Sequence, residues 1–315
     1  LRKLGVTKVQ LGIQSLDNNV LNKNQRGHTL EDSENAINLL RLAGFKTHIH
    51  WMANLYTSTI DKDYIDYCNL FTNTSIMPDE LKIYPCSVVD NTQLKTLLKK
   101  GLYEPYKEKD LIELLARCKV NTPRYCRITR VFRDIPSQLI ISGTKKTNLR
   151  QLIHQYMKNN DMECKCIRCK EIRGKSFDIE KLKLNTQKYT TKVSQEFFLN
   201  YTSNNNLIGF LRLSLPNKNL SSKHFISELK NAAIIREVHI YGRSLEIGKQ
   251  GETQHLGLGG KLIDFSRKIA IENGYNKLAV ISAIGTKEYY YKKGFTNGKL
   301  YQINYIISEQ TNNKK

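Results

Sequence analysis

The chain is short of acidic residues, proline and tryptophan, and it has no long apolar run. Its 315 residues include 29 Asp and Glu against 50 Lys and Arg, with 6 prolines and 1 tryptophan. A membrane-spanning helix needs about 20 consecutive apolar residues, so the missing run argues against membrane helices. No stretch has the pattern of a secretory signal peptide, and the 7 cysteines, an odd number, favour reduced thiols or a metal over disulfides. We therefore expect a cytoplasmic protein without a membrane partner.

The shortage of acidic residues leaves a formal net charge of +21 and a pI near 9.6. About half of that excess lies in one stretch, since residues 117–175 hold 15 Lys and Arg against 4 Asp and Glu. A solvated basic face is the simpler interpretation, but charge concentrated in this way favours a nucleic acid as the partner. The expected phosphate contacts are Arg130, Arg133, Lys145, Lys146 and Arg150.

The first half of the sequence alternates between strand and helix patterns. Strands are predicted over 6–13, 45–52, 81–84 and 125–131, and helices over 29–42, 61–70, 93–99 and 107–119. Thr29 is the predicted N-cap of the first of these helices, and Gly44 ends it. Alternation of this kind predicts an α/β fold with a parallel sheet, and about four strands are too few for a closed eight-stranded barrel. Because the sequence starts at Leu1 rather than at methionine, we expect a front portion of the barrel to be missing.

A glycine-rich turn at residues 254–261 is the most informative pattern in the second half. It precedes a predicted helix over 259–273, a strand over 278–282 and a short helix that ends at Gly294. Backbone N–H groups in such a turn can approach an anion closely, and the dipole of the following helix favours negative charge there. An ordinary glycine turn in an α/β domain has the same composition, so the turn alone is a weak signal.

The order of Q-x-x-G-x-G turn, helix, strand and Y-x-x-x-G-F resembles the GNAT acyltransferases, which bind acetyl-CoA. The resemblance implies that residues 233–240 form the strand beside the pantetheine arm, and that Tyr290 contacts the thioester or its sulfur as a catalytic group. Glu237 is either a second catalytic group, acting as a base, or one half of a structural salt bridge with Arg236 or a lysine. The implied cofactor-binding residues are Glu237, Val238, His239, Ile240, Gln254, Gly257, Leu258, Gly259, Gly260 and Tyr290.

Gln14, at the end of the first predicted strand, and Arg26, twelve residues later, are similar to a pair in radical S-adenosylmethionine (SAM) enzymes. In that superfamily the pair contacts the ribose and the carboxylate of the cofactor. The residue types suit this role, because a planar amide can bind hydroxyls and a guanidinium can bind a carboxylate through two parallel hydrogen bonds. As an isolated pair they are a weak signal, and a polar strand end followed by a solvated loop is the simpler interpretation.

The order of the motifs along the chain decides between these interpretations. A succession of segments that precedes the acyltransferase pattern resembles the Elongator catalytic-subunit family: residues 6–15, 24–29, 81–85, 133–136, 146–150 and 164–169. The resemblance implies a partial radical-SAM (β/α) barrel over 1–135, a basic linker over 136–176 and a GNAT domain over 177–315. The implied reaction is 5-carboxymethylation of the wobble uridine of transfer RNA from acetyl-CoA and SAM. The anticodon stem-loop is the expected partner, with accessory subunits or a second copy of the chain as further expectations.

One part of that family's pattern is missing. The C-x-x-x-C-x-x-C motif, which binds a [4Fe–4S] cluster in radical-SAM enzymes, does not occur in the sequence. We therefore expect the ligands of the cluster to lie upstream of Leu1, and we expect no radical chemistry from these 315 residues alone.

Cys164, Cys166 and Cys169 form a second, compact cysteine motif. Thiolates this close repel one another unless they are protonated or bound to a cation, and soft sulfur ligands suit zinc. We predict a structural zinc site, with three reduced thiols in a basic hairpin as the alternative. A tetrahedral site needs a fourth ligand, and the sequence leaves three candidates open: His154, Cys126 and Cys118.

Some side chains have less specific expectations. Tyr289 or Tyr291 is expected to pack in the core, while His48 and His50, which have no carboxylate nearby in sequence, are expected to line the barrel. Lys82 and Tyr84, near a strand end, are candidate substrate contacts.

Two other functions remain open. A protein lysine acetyltransferase is the ordinary use of a GNAT domain, although the basic linker argues against the acidic or peptide-shaped groove that it would need. A non-catalytic RNA-binding fragment would merely present charge to a polyanion.

Overall fold

The structure, a computed structural model, describes residues 1–132, 135–174, 176–241 and 257–306. The chain divides into two compact units. The parallel-sheet unit comprises Gln10–Ile37 and Thr47–Cys169, and the mixed-sheet unit comprises Leu1–Val9, Asn38–Lys46 and Lys170–Lys315. Most of the expected linker over 136–176 thus belongs to the parallel-sheet unit. The division into three domains at 135 and 176 stays a prediction.

The strands of the first part of the chain are β1 (Lys8–Gln14), β2 (Lys46–Trp51), β3 (Glu80–Ile83), β4 (Val88–Val89), β5 (Arg127–Arg130) and β6 (Ile140–Ser142). Four of them form a sheet in the order β1-β2-β3-β5, and β3 is parallel to both of its neighbours. The predicted parallel sheet of four strands is therefore confirmed. The antiparallel pair of β4 and β6 was not predicted.

The helices of this part are α1 (Asn18–Lys23), α2 (Leu30–Leu42), α3 (Ile60–Thr72), α4 (Gln93–Lys99), α5 (Glu108–Val120), α6 (Leu149–Asn159) and α7 (Ile167–Lys170). Thr29 begins α2 through a reciprocal pair of bonds: its N–H donates to Asp32 Oδ2 at 2.9 Å, and the Asp32 N–H donates to Thr29 Oγ1 at 3.2 Å. Beyond the other end Gly44 has a φ of 76°, a left-handed conformation that favours glycine. Both predicted ends of α2 are confirmed.

The strands of the second part are β7 (Lys183–Thr190), β8 (Ser194–Ser203), β9 (Asn206–Pro216), β10 (Ala233–Ile240), β11 (Lys277–Val280), β12 (Thr296–Asn297) and β13 (Gln302–Tyr305). They form a sheet in the order β12-β13-β11-β10-β9-β8-β7. β10 and β11 are parallel to each other, and the other pairings are antiparallel. The predicted strands β10 and β11 are confirmed, whereas β7, β8 and β9 were not predicted.

The helices of the second part are α8 (Lys218–Ser222), α9 (Leu258–Glu272) and α10 (Lys287–Tyr291). α9 buries Leu262, Ile263, Ile269 and Ala270 in one core with side chains of β9, β10 and β11. Each large apolar side chain buried in this way stabilises the fold by about 1.5–3 kcal/mol. None of the described helices is long and apolar enough to cross a membrane.

Candidate functional sites

Gln14 and Arg26 meet over Gly12 in the parallel-sheet unit. Arg26 Nη2 donates to the carbonyl oxygen of Gly12 at 3.1 Å. A Cβ added to Gly12 would lie 2.8 Å from Gln14 Nε2 and 3.4 Å from Arg26 Nη2, so both side chains occupy the space that only a glycine leaves open. The fold therefore brings together the two residues that the sequence paired.

Gln14 has two features of a binding residue. Its φ of 66° is rare outside glycine and costs of order 1 kcal/mol. Its Oε1 is buried and has no hydrogen-bond partner among the described residues. A buried amide oxygen without a donor is costly, and a ligand hydroxyl would satisfy it. Together with the adjacent guanidinium, the donor and acceptor set fits a ligand that carries both hydroxyls and a carboxylate.

Other polar side chains lie on the strands of the same sheet. Gln10 Oε1 accepts from Lys82 Nζ at 2.8 Å and lies 3.2 Å from His50 Nε2. The parallel register of β2 and β3 places His48 beside Glu80, with Nδ1 and Oε2 3.2 Å apart. His48 has no carboxylate nearby in sequence, but Glu80 of the neighbouring strand supplies one.

In the mixed-sheet unit, β10 separates from β11 partway along its length. The pairing ends at Ile235 opposite Val280, and the register of β10 against β9 shifts between Ile235 and Glu237. Residues 237–240, the predicted pantetheine strand, therefore have no β11 partner, and on that side they pair with no other strand among the described residues. This is how an extended chain can add to a sheet by backbone hydrogen bonds.

The predicted glycine turn leads into α9, although Gln254 lies outside the described residues. Gly257 caps the helix with a φ of 59° and supplies no side-chain acceptor. A Cβ added to Gly259 would lie 2.5 Å from Tyr289 Oη, and one added to Gly260 would lie 2.7 Å from Lys293 Nζ. Tyr289, just before the Y-x-x-x-G-F segment, and Lys293, within it, thus lie against the two glycines, and a larger residue at either glycine would have to displace one of these side chains.

Tyr290 is the buried member of the tyrosine run. Its ring packs edge-on against Tyr289 and Phe295, with centroids 5.2 Å and 5.7 Å away. Burial raises the pKa of its phenol, which therefore stays protonated and able to donate a hydrogen bond. The expectation that Tyr289 or Tyr291 packs in the core is wrong, because these side chains are 39% and 40% exposed. The contact of Tyr290 with a thioester stays a prediction.

Glu237 forms two ion pairs. Its carboxylate accepts from Lys46 Nζ at 2.6 Å and from Arg212 Nε at 2.9 Å. Burial by itself raises the pKa of this carboxyl, but the two cations outweigh burial and lower the pKa below its ordinary value. The contacts of Glu237 therefore fit the salt-bridge alternative. The lysine is Lys46, and the arginine is Arg212 rather than Arg236.

Arg236 instead pairs with Glu196 in the interior of the sheet. Its Nη2 lies 2.7 Å from Glu196 Oε2, and both side chains are buried.

A lowered pKa makes the Glu237 carboxylate a weak base. Its role as a catalytic base therefore stays a prediction, and its surroundings do not support it.

The three cysteines of the C-x-C-x-x-C motif converge. The Sγ atoms of Cys164, Cys166 and Cys169 lie within 4.8 Å of one another, and they form the one such group among the described residues. Lys119 is fully buried and donates to Cys169 Sγ at 3.6 Å. A buried ammonium is costly without a negative neighbour, so it favours thiolates, the form of cysteine that binds metals. The donor set fits a soft metal ion or a cluster.

The structure separates the three candidates for a fourth ligand. His154 Nε2 lies 3.9 Å from Cys169 Sγ. Cys118 and Cys126 are buried and, like His154, lie outside the group of three sulfur atoms, although the carbonyl oxygen of Cys126 accepts from Ile167 N–H within the motif at 3.0 Å. His154 is the candidate with a measured side-chain contact to the cluster.

The predicted phosphate contacts divide into two groups. Arg130, Lys145 and Lys146 are exposed, and both lysines line a cavity of about 320 Å³ beside Tyr106. Arg150, by contrast, is half-buried and donates to the carbonyl oxygen of Ile128 at 3.0 Å. Arg130, Lys145 and Lys146 therefore have the exposure that a phosphate contact needs, whereas the Arg150 guanidinium is bonded to the protein backbone. Arg133 lies outside the described residues.

The chain is similar to several known proteins. Residues 78–159 match the radical SAM C-terminal domain family. The chain is 37% identical to a tRNA uridine(34) acetyltransferase of Methanocaldococcus jannaschii over 96% of its own length and 58% of the relative's. It is 35% identical to mouse Elongator complex protein 3, over 92% of this chain and 54% of the relative.

A solved structure supports the same relation. The N-terminally deleted archaeal Elp3 of Methanocaldococcus infernus superimposes with a TM-score of 0.90 at 36% identity, over 97% of this chain and 74% of that one. The fold and sites define a radical-SAM barrel part joined to an acyltransferase fold. The chain belongs to the Elongator complex protein 3 family. It spans 58% of the length of the M. jannaschii relative.

The ion pairs of Glu237 predict a pH-dependent loss of stability in Glu237→Gln. At neutral pH the variant leaves Lys46 and Arg212 without their carboxylate, which should lower the free energy of unfolding by about 3 kcal/mol. Because the folded-state pKa of Glu237 is lowered, its stabilisation is present above the unfolded-state pKa of about 4.3 and is lost as pH falls through the folded value. Wild type and variant should therefore converge in acid.

Thermal unfolding followed by calorimetry between pH 7 and pH 3 measures this difference. Glu288→Gln, at an exposed position of α10, is the matched control and should behave like the wild type. A stable Glu237→Gln protein at pH 7 would show that the ion pairs contribute nothing.

Proposed function

We propose that this chain is part of an enzyme that modifies uridine 34 of transfer RNA, with acetyl-CoA and SAM as co-substrates. The observation that carries the proposal is that one chain holds both the Gln14–Arg26 pair and the glycine turn of α9 under Tyr289. Relatives named tRNA uridine(34) acetyltransferase support the same substrate. Within that function we propose the finer reaction, 5-carboxymethylation of the wobble uridine, in the cytoplasm.

Gln14 and Arg26 would hold SAM. The unsatisfied Oε1 of Gln14 would accept from a ribose hydroxyl, and Arg26 would bind the carboxylate. When it is cleaved reductively, SAM supplies a radical that can abstract hydrogen from an acetyl methyl group. The cysteine spacing that binds the reducing [4Fe–4S] cluster is not in this sequence, so we assign its ligands to a segment other than these residues.

The mixed-sheet unit would bind acetyl-CoA. Backbone groups of residues 237–240 would pair with the amides of the pantetheine arm, where β11 has already separated. The N–H groups of Leu258, Gly259 and Gly260 would face the diphosphate, because they lie in the first turn of α9. Tyr290 would donate a hydrogen bond to the thioester, which its raised pKa permits at neutral pH.

Transfer RNA would bind the basic stretch of the parallel-sheet unit. Arg130, Lys145 and Lys146 are exposed there and would contact phosphates, which fix the position of the RNA without reading its sequence. Extruded bases of the anticodon loop would supply the specificity. Accessory subunits or a second copy of the chain are further proposed partners.

Two assays separate this proposal from its rivals. Isothermal titration should show that the chain binds acetyl-CoA, and filter binding should show that it binds transfer RNA with affinity that falls steeply with salt. Lys145→Gln/Lys146→Gln should reduce the salt dependence of RNA binding and leave acetyl-CoA affinity unchanged. RNA binding without acetyl-CoA binding would identify a non-catalytic RNA-binding module. Acetyl transfer to lysine peptides that is indifferent to transfer RNA would identify a protein acetyltransferase.

We further propose that Cys164, Cys166, Cys169 and His154 bind a structural zinc ion. A closed site with four protein ligands stabilises the fold and has no open position for a substrate. Lys119 would neutralise part of the excess negative charge of three thiolates.

Metal analysis of protein purified without chelators tests this assignment. We expect about one zinc per chain. Cys166→Ser should abolish zinc binding, and His154→Ala should bind zinc more weakly. Cys68→Ser, outside the cluster, is the control and should keep its zinc. If the protein instead contains iron and shows the visible absorption of an iron–sulfur centre, the site binds a cluster and the zinc assignment is wrong. Folded protein without metal would exclude both.

A further inference from the structure

We infer that Lys293 is a phosphate-binding residue of the acyl-CoA site, and that its ammonium group pairs with the diphosphate of the ligand. The inference rests on the proposed function, since it adds a side chain to the site proposed for acetyl-CoA. Its ligand class is a nucleoside diphosphate joined to a thioester-bearing arm. Three features of Lys293 support it: the position of the ammonium group, the lack of a carboxylate partner among the described residues, and the charge of the helix beside it.

The ammonium group lies directly against the glycine turn. A Cβ added to Gly260 would be 2.7 Å from Lys293 Nζ and 3.2 Å from its Cε. The end of the side chain therefore occupies the space beside the first turn of α9. Tyr289 Oη takes the equivalent place at Gly259, 2.5 Å from the added Cβ. The two side chains border the same first turn of α9 and cover its glycines, which are buried.

The backbone that carries Lys293 is held in place. Its N–H donates to the Tyr290 carbonyl oxygen at 3.0 Å, and its carbonyl oxygen accepts a hydrogen bond from Arg267 of α9. Gly294 follows with a φ of 80°, which ends the turn after α10. Because the backbone of Lys293 is hydrogen-bonded to Arg267 of α9, its Cα has a fixed position relative to that helix, and its side chain extends from there to the start of the helix.

The electrostatics of this arrangement call for an anion. α9 is 15 residues long, and the start of a helix carries roughly half a positive charge. A lysine beside it experiences like charge, and no carboxylate pairs with Lys293 Nζ among the described residues. Asp264, one turn into α9, pairs with Arg267 instead. A diphosphate between the helix start and Lys293 would turn this repulsion into two attractive interactions.

The diphosphate is the anion to which this geometry commits. It is the group that the first-turn N–H groups of Leu258, Gly259 and Gly260 would bind in the proposed site, and Lys293 Nζ lies beside the last of these residues. The 3′-phosphate of the nucleotide and the phosphates of RNA are other anions, and the experiment distinguishes them.

Isothermal titration of the full chain with acetyl-CoA, dephospho-CoA, acetyl-pantetheine and transfer RNA tests the inference. Lys293→Met should weaken acetyl-CoA binding about tenfold, a loss of about 1.4 kcal/mol, which is typical for one charge-assisted contact. The same variant should lose a similar factor with dephospho-CoA, which keeps the diphosphate. With acetyl-pantetheine, which has no diphosphate, wild type and variant should bind equally. Lys293→Arg should recover most of the affinity for acetyl-CoA.

Lys292→Met is the matched control, because Lys292 is the exposed neighbour on the same turn and should leave all affinities unchanged. A wild type that binds none of these ligands would defeat the proposed acyl-CoA site itself. A wild type that binds acetyl-CoA while Lys293→Met binds equally well would defeat only the inference on Lys293. Loss with acetyl-CoA but not with dephospho-CoA would move the contact to the 3′-phosphate. Loss of transfer RNA binding alone would make Lys293 an RNA contact, and either result would overturn the assignment to the diphosphate.

Discussion

The separation of β10 from β11 is the constraint on which the mixed-sheet unit depends. Two parallel strands that share only three residue pairs leave the rest of β10 without a β11 partner on one side. The helix that follows the glycine turn, α9, packs in the core shared with both strands, so its unsatisfied first turn stays close to that opening. The same sheet thus supplies an edge for an extended ligand and a positive helix start for an anion.

Charge balance inside the protein follows a second regularity. Three buried cations lie beside an acidic or sulfur group: Arg236 beside Glu196, Arg212 beside Glu237, and Lys119 beside Cys169. Such pairs hold the interior together, because removing one partner would leave a buried charge uncompensated. The basic residues that remain exposed, such as Lys145 and Lys146, are available for a polyanion. Lys293 is intermediate, since its side chain is half-buried but no carboxylate partner is found for it among the described residues.

Local signals in the sequence predicted a large part of the fold. The ends of α2 could be predicted from Thr29 and Gly44, because caps and left-handed glycines act within a few residues. β7 escaped prediction because its residues are polar and mostly exposed, and β9 because nearly all of its residues are buried, so neither alternates with the period of two that reveals a strand. α6 was not predicted although Leu149, Ile153 and Met157 are buried at the i, i+4, i+8 spacing of a helix face, so its sequence carries a signal that could have been used.

The candidate sites divide in the same way. The Gln14–Arg26 pair and the glycine turn were predicted because their members are close in sequence. The partners of Glu237 were not, since Lys46 is 191 residues away along the chain. The contact of Lys293 with the glycine turn depends on how α10 packs against α9, and a lysine in a basic sequence gives no signal of that kind. Long-range packing thus decides which charged residue belongs to a site.

Hydrogen–deuterium exchange with and without acetyl-CoA tests the central claim most directly, because that claim concerns backbone amides. The account predicts that the ligand slows exchange in residues 237–240 and in the first turn of α9, and that acetate alone leaves both unchanged. Protection that appears elsewhere, with these two segments exchanging at the same rate in both states, would contradict it.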